Sequence, residues 1–117
     1  MSRTRGSTYE QRAADYLTRQ GLVVLRQNVQ IIRGEIDLIA LDGGTLVFVE
    51  VKYRKHSRFG EAREMLSLKK QRLIIRTAEL FLQRQPRYRH MPCRFDLIAI
   101  TGETAKLDWI KSAFLIT

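Results

Sequence analysis

Cysteine is almost absent from this chain of 117 residues: Cys93 stands alone. That excludes an internal disulfide framework and a thiolate metal cluster. Set in an apolar run with Phe95 and Leu97, Cys93 reads as a small buried hydrophobe. No apolar run approaches the roughly 20 residues that cross a bilayer. The basic start, Met1 to Gly6, has no apolar segment behind it, so no signal peptide is expected. The chain therefore reads as cytoplasmic, with no membrane partner. There is no Gly-rich phosphate loop, so nucleoside-triphosphate hydrolysis is not indicated. His56 and His90 lack Cys or His partners at ligand spacing, which argues against zinc. Acidic residues are in short supply, with 12 Asp and Glu against 21 Lys and Arg and a net charge of +9. Such a balance favours a polyanion partner, most often nucleic acid. A ribosome-associated or merely soluble basic protein has the same composition.

What remains is the composition of a folded protein, 44% apolar, and its length suits one domain over 1–117 with a loose basic tail at 1–6. Ser7 to Gln20 reads as a helix. Ser7 and Glu10 fit a capping box, Tyr9, Ala13, Ala14, Tyr16 and Leu17 make an apolar stripe, and Gly21 ends it. Leu22 to Gln30, Gly34 to Leu41 and Thr45 to Arg54 read as strands. Gly43-Gly44 marks a tight hairpin turn between the last two, because both residues tolerate positive φ. A long helix lies within Glu61 to Arg84, with Ser67 as a candidate cap, and Pro86 ends it. Leu73, Ile74, Thr77, Ala78, Phe81 and Leu82 form its apolar face. Cys93 to Ile100 and Ala105 to Ile110 are the final strands. The order is αβββαββ, an α/β architecture in which the helix between the third and fourth strands makes those two parallel.

A two-residue turn places Thr45 opposite Asp42. Stepping outward, Asp37 comes opposite Glu50, and Glu35 opposite Lys52. Alternation puts these four charges on one face, with Ile39, Leu41, Leu46 and Phe48 filling the rest of it. The other face, from Ile36, Leu38 and Ala40 to Val47, Val49 and Val51, is wholly apolar, so the hairpin is central to its sheet. Two carboxylates directly opposite repel, and a divalent cation between them relieves the conflict. Hard cations such as Mg²⁺ take one or two carboxylates plus waters and phosphate oxygens, and a metal-bound water becomes an available nucleophile. Lys52 can orient that water or neutralise developing phosphate charge. A solvated salt-bridge ladder on an edge hairpin is the competing interpretation, and the flanking apolar residues speak against it.

Asp37 followed by Glu50-Val51-Lys52 resembles the signature of the PD-(D/E)XK nuclease superfamily, with Ile36 where the superfamily's name has Pro. More narrowly, the chain resembles the YraN-like family of small bacterial endonuclease-like proteins. The matching stretches run in order through nearly the whole chain. They are Glu10 with Ala13 to Leu17, Gly34 to Ala40, Phe48 to Arg54, Lys70 to Leu73, and Arg94 to Leu97. The resemblance implies a restriction-endonuclease-like mixed central sheet flanked by helices. It also implies an endonuclease that hydrolyses phosphodiester bonds of DNA, branched or structured DNA included, with Mg²⁺ or Mn²⁺. Asp37, Glu50 and the Val51 carbonyl would hold the metal, and Lys52 would serve the attacking water. Archaeal Holliday-junction resolvases are similar in layout and carry an acidic residue on the first helix, which maps onto Glu10. They act as dimers, so the resemblance leaves a homodimer open here.

Glu10 thus has two roles to choose from, with its structural role as a capping residue favoured and the site role secondary. Glu35 is a secondary candidate. Arg54, Lys55, His56 and Arg58 follow the catalytic strand, where a basic loop would grip a substrate backbone. Lys69, Arg72 and Arg76 offer a basic helix face for the same purpose, joined by Lys70. Tyr53 and Trp109 read as core residues. Nothing resembles a base-reading helix, so shape or backbone recognition of nucleic acid is expected, DNA ahead of RNA. Two further readings stay open: a nucleic-acid-binding module that keeps the fold without cutting, and a basic protein-interaction domain.

Overall fold

Leu38 and Val49 lie opposite each other in an antiparallel ladder that continues through Ile39–Phe48, Ala40–Val47 and Leu41–Leu46 to Asp42–Thr45. This is the register that a two-residue Gly43-Gly44 turn demands, and Gly43 adopts the φ of +60° that such a turn needs. The computed structural model describes residues 5–55, 65–102 and 105–115. Helix α1 (Arg5–Arg19) is followed by strands β1 (Val23–Ile31), β2 (Gly34–Asp42) and β3 (Thr45–Arg54). Helix α2 (Leu68–Arg84), a 3₁₀ turn at Pro86–Tyr88, and strands β4 (Cys93–Thr101) and β5 (Lys106–Phe114) complete the order. The five strands lie side by side in sequence order, β1 to β5. Among the described strands only β3 and β4 are parallel, and α2 lies in the connection between them. This is the restriction-endonuclease-like α/β arrangement that the residue pattern and the resemblance implied.

Each face of the sheet is covered by one helix. Ala13, Ala14 and Leu17 of α1 pack with Leu38, Ala40, Val47, Val49, Ile98 and Ile100. Ile74, Ala78 and Phe81 of α2 pack with Ile39, Leu46, Phe48, Phe95 and Leu97. The Phe48 ring stacks on Phe95 at 5.4 Å and meets Phe81 edge-on at 6.1 Å. A ring buried so completely contributes about 2–3 kcal/mol by removal from water. No helix among the described residues is long and apolar enough to cross a membrane.

The structure corrects several local expectations. Helix α1 begins at Arg5, so Ser7 lies inside it rather than at the N-cap expected for it. The last two residues of the expected basic tail are helical for the same reason. Ser67 does cap α2, its hydroxyl accepting from the Lys70 amide at 3.1 Å. Strand β5 runs on to Phe114 because a bulge, with Ser112 at φ +51°, lets it pair along more of β4. Ile36 packs under α2, whereas Leu38 packs under α1. Strict alternation would put both on one face, so the alternation of β2 breaks at Asp37.

Candidate functional site

The break at Asp37 coincides with the end of the β2–β3 ladder, whose last pair is Leu38–Val49. Beyond it the Asp37 carboxylate, rather than a β2 carbonyl, accepts the Val51 N–H at 2.8 Å. The two strands part at this point, and charged side chains from four elements fill the opening. Asp37 is 6% exposed, Glu50 4% and Glu10 9%. Glu10 enters from α1, the helix on one face, and shares a hydrogen bond with Asp37. Glu50 also shares one with Asp37. A hydrogen bond between two carboxyls requires a proton on one of them. From α2, on the opposite face, the Lys70 ammonium lies 3.4 Å from Glu50 Oε2. Lys52, on β3 itself, lies 4.0 Å from the same oxygen.

The electrostatics follow from this crowding. Burial is the first cause that lifts the Glu50 carboxyl to about 8, and the charge of Asp37 and their hydrogen bond add to it. Lys70 and Lys52 pull it back down in part. Glu10 is also pushed up to about 8, by burial first, then by its hydrogen bond to Asp37 and the charges of Asp37 and Glu35. A hydrogen bond with the Asn28 side chain opposes that shift. Asn28 sits on β1 at φ +55°, between the pairs Gln27–Leu38 and Val29–Ile36, and so beside Asp37.

Sequence reasoning brought Asp37, Glu50 and Lys52 to one place, and there they are, but the expected cross-strand pairs Asp37–Glu50 and Glu35–Lys52 do not form, because the ladder ends at Leu38–Val49. It favoured a capping role for Glu10, and the structure instead puts its carboxylate against Asp37. Half-buried Glu35 stands near by, accepting from Gln30 Nε2 at 3.5 Å. Lys70 was expected to contact nucleic acid and instead faces Glu50; its place in the Lys70-Gln71-Arg72-Leu73 stretch was the only signal available. Asn28 was missed, because nothing local marks a strand residue that turns toward a neighbouring helix.

The basic residues divide. Arg54 does not project as a free cation: its guanidinium donates to Thr101 Oγ1 at 2.9 Å and to Asp108 at 3.2 Å, tying β3 to β4 and β5. Lys55, Lys69, Arg72 and Arg76 are exposed, and Arg76 pairs loosely with Glu79 at 3.8 Å. His56 and Arg58 lie outside the described residues. Tyr53 is not the core residue expected; it is partly exposed and stacks on Tyr9 at 4.5 Å. Trp109 is half-buried, and its indole N–H donates to Asp96 at 2.9 Å. Fully buried Asp96 also accepts from Arg94 and from the Ser112 amide, which holds the β5 bulge. Cys93 is half-buried, with its thiol pushed up by burial.

Among the described residues, no three His, Cys, Asp or Glu side chains are gathered into a ready-made metal cage. Asp37 contacts both Glu10 and Glu50, which leaves a pair of carboxylates as the available donor set on either side of it. Hard oxygen donors, few in number, with raised proton affinity and two lysines near by, fit Mg²⁺ or Mn²⁺, which keep waters and take phosphate oxygens.

The model of a family described as "Uncharacterised protein family UPF0102" matches residues 9–100. A UPF0102 protein of Pseudomonas syringae pv. syringae is 50% identical over 112 residues, covering 93% of this chain and 91% of its own. One from Ectopseudomonas mendocina is 48% identical over 110 residues, covering 93% and 92%. One from Stutzerimonas stutzeri is 44% identical over 115 residues, covering 97% and 96%.

Proposed function

The chain belongs to the uncharacterised protein family UPF0102, the YraN-like family, and from its site we propose that it is a metal-dependent endonuclease hydrolysing phosphodiester bonds of DNA. The observation that carries this reading is the meeting of buried Glu10, Asp37 and Glu50 with Lys52 and Lys70 where β2 and β3 part, the Glu10 and Glu50 carboxyls both raised in proton affinity. Such a cluster costs stability and is rarely kept for the fold alone. Asp37 and Glu50 would hold Mg²⁺ or Mn²⁺, with the Val51 carbonyl as a further ligand. Bound there, the ion would supply Lewis-acid polarisation of the phosphate and an acidified water.

The chain's own groups do the rest. The Val51 N–H holds the Asp37 carboxylate in one orientation, so that a ligand oxygen is positioned before substrate arrives. Lys52 points its ammonium along the same edge as Glu50, where it donates to the attacking water and to non-bridging phosphate oxygens. Glu10 reaches the centre from the far layer, where its own carboxyl, pushed up to about 8, can hold or release a proton beside Asp37. Exposed Lys55, Lys69, Arg72 and Arg76 attract the DNA backbone without reading bases.

The test is cleavage of junction, flap, single-stranded and intact duplex DNA in Mg²⁺ or Mn²⁺, with Asp37→Ala and Glu50→Ala alongside. Calorimetric titration of Mn²⁺ into wild type and Asp37→Asn runs in parallel. Cleavage that persists in both alanine variants refutes the site. Salt-sensitive binding with no cleavage in any metal leaves a nucleic-acid-binding module that keeps the nuclease fold.

A further inference from the structure

The turn between β1 and β2 carries an unfavourable residue in an unfavourable conformation. Ile32 is 79% exposed and sits at φ +55°. The left-handed region costs an L-residue about 1–2 kcal/mol, and β-branched side chains suffer most there. Gly or Asn would remove both penalties at once. The turn is also held rigidly. Ile31 pairs with Gly34 across it, and an ideal Cβ on Gly34 would lie 1.7 Å from the hydroxyl of buried Thr77 on α2. The backbone of the turn is thus pressed directly on the helix, and the Ile32 side chain is presented outward.

The surroundings specify what such a tip meets. Between the turn and α2 lies a shallow cleft of about 230 Å³ whose lining includes Leu73, Leu80, Arg33 and Arg76. Partly exposed Leu73 continues the apolar tip, and exposed Arg33, Arg72 and Arg76 surround it with positive charge. Strand β2 begins at Gly34 and reaches Asp37 three residues later, while β3 ends just past Lys52. The turn and the carboxylates therefore share one end of the sheet. At about 3.3 Å per strand residue Gly34 is roughly 10 Å from Asp37, and Ile32, two residues further out, is about 16 Å away at most, up to about five base steps.

We propose that the Ile32–Arg33 turn is a wedge that enters the base stack of a bound duplex a few steps from the scissile phosphate. The preferred substrate is then a duplex already interrupted by a nick, gap or branch. This rests on the nucleic-acid reading above. Apolar side chains inserted between base pairs unstack them at a cost of a few kcal/mol per step. That cost is least where the stack is already broken, which is how a wedge selects interrupted DNA. The arginines around it meet the phosphates on either side. An acidic protein surface is the other polyanion that such a basic rim could face, but only the DNA occupant also accounts for the nearness of the carboxylate site.

The test uses the full chain with Ile32→Asn and Ile32→Gly, both at ease at positive φ. Fluorescence anisotropy measures binding to a nicked or gapped duplex and to an intact duplex of the same sequence. A 2-aminopurine base at the interruption reports unstacking. Both variants are expected to melt at or above the wild-type temperature and to bind intact duplex as wild type does. They are expected to bind the interrupted duplex about tenfold more weakly, the size of one lost stacking contact, without the rise in 2-aminopurine fluorescence. Unchanged affinity and an unchanged 2-aminopurine signal overturn the wedge. So does binding of polyglutamate that Ile32→Asn abolishes while DNA binding persists, which would make the turn a contact for acidic protein. If wild type binds no DNA, the wedge and the nucleic-acid reading fall together. If it binds and unstacks but never cuts, only the cleavage reading falls.

Discussion

Glu50→Gln should stabilise the metal-free protein at alkaline pH while abolishing its response to divalent cations. The carboxyl of Glu50 moves from 4.5 to about 8 on folding, driven by burial and then by Asp37. A group whose folded value is raised makes the folded chain hold its proton more tightly than the unfolded chain does. Below pH 4.5 both states are protonated, and the group contributes no difference. Stability then falls as pH rises through the window from 4.5 to 8, and the full cost is present above 8. At 1.36 kcal/mol per unit the displacement corresponds to about 5 kcal/mol. Side-chain relaxation and water entry relieve part of such a penalty, so about 2–3 kcal/mol is the expected effect. Gln keeps the shape, never ionises, and donates to Asp37. In a domain of this size 1 kcal/mol moves the melting temperature by about 4 °C, so the variant should melt some 10 °C above wild type at pH 8.5. The two should converge near pH 5. Thermal unfolding followed by circular dichroism in chelated buffer, from pH 5 to 9, measures this directly. Adding Mn²⁺ should then raise the wild type alone, by mass action on the folded state. If Glu50→Gln melts below wild type at pH 8.5, the ion pair with Lys70 is net stabilising and the reasoning is wrong.

Other substitutions separate structure from function. Gly34→Ala forces a methyl into Thr77 and should cost about 1–3 kcal/mol in chemical denaturation, partly restored by adding Thr77→Ala. Asp96→Ala leaves the Arg94 guanidinium with Asp42 alone and strands the Trp109 and Ser112 N–H groups; a loss of about 2–3 kcal/mol and a shifted Trp109 emission should result. Arg54→Ala should weaken the fold by about 1 kcal/mol yet leave the salt dependence of DNA binding unchanged, because its guanidinium is engaged within the sheet. Arg72→Ala should do the reverse, lowering the slope of log affinity against log salt by about 1 without changing the melting temperature.

The hairpin was legible in the sequence because everything that defines it is local. Gly43-Gly44 sets the turn, the turn sets the register, and the predicted third strand coincides with Thr45–Arg54 end to end. What escaped reading depends on contacts between layers. Alternation along β2 predicts that Ile36 and Leu38 share a face, and it fails where Asp37 trades ladder pairing for the Val51 amide. Glu10 looked like a capping residue because its helix was expected to start at Ser7; the helix starts at Arg5, and the stripe of Ala14 and Leu17 that packs on the sheet carries Glu10 to it as well. Lys70 and Arg54 were counted as surface charge because sequence shows a cation without showing its partner. Strand β5 fell short by several residues because a bulge held by Asp96 carries no pattern of its own.

The same conflict accounts for both the shape and the chemistry of the site. A regular hairpin would continue past Leu38–Val49 and set Asp37 directly against Glu50, two acids in a buried sheet. The chain instead ends the ladder there, gives Val51's N–H to Asp37, and lets α1 and α2 each send one charged group into the gap, Glu10 from one face and Lys70 from the other. The lysines relieve the acids only in part, since the Glu50 carboxyl still lies at about 8. A purely structural solution was close at hand: an apolar residue at any of the three acidic positions would continue the core at lower cost. The residual strain is therefore best understood as preorganisation. It leaves the pocket short of positive charge, so that a divalent cation bound there would release protons, relieve the repulsion and stabilise the fold in one step. That linkage is what would distinguish this site from a salt-bridge cluster, in which added cation would compete with the lysines and stabilise nothing.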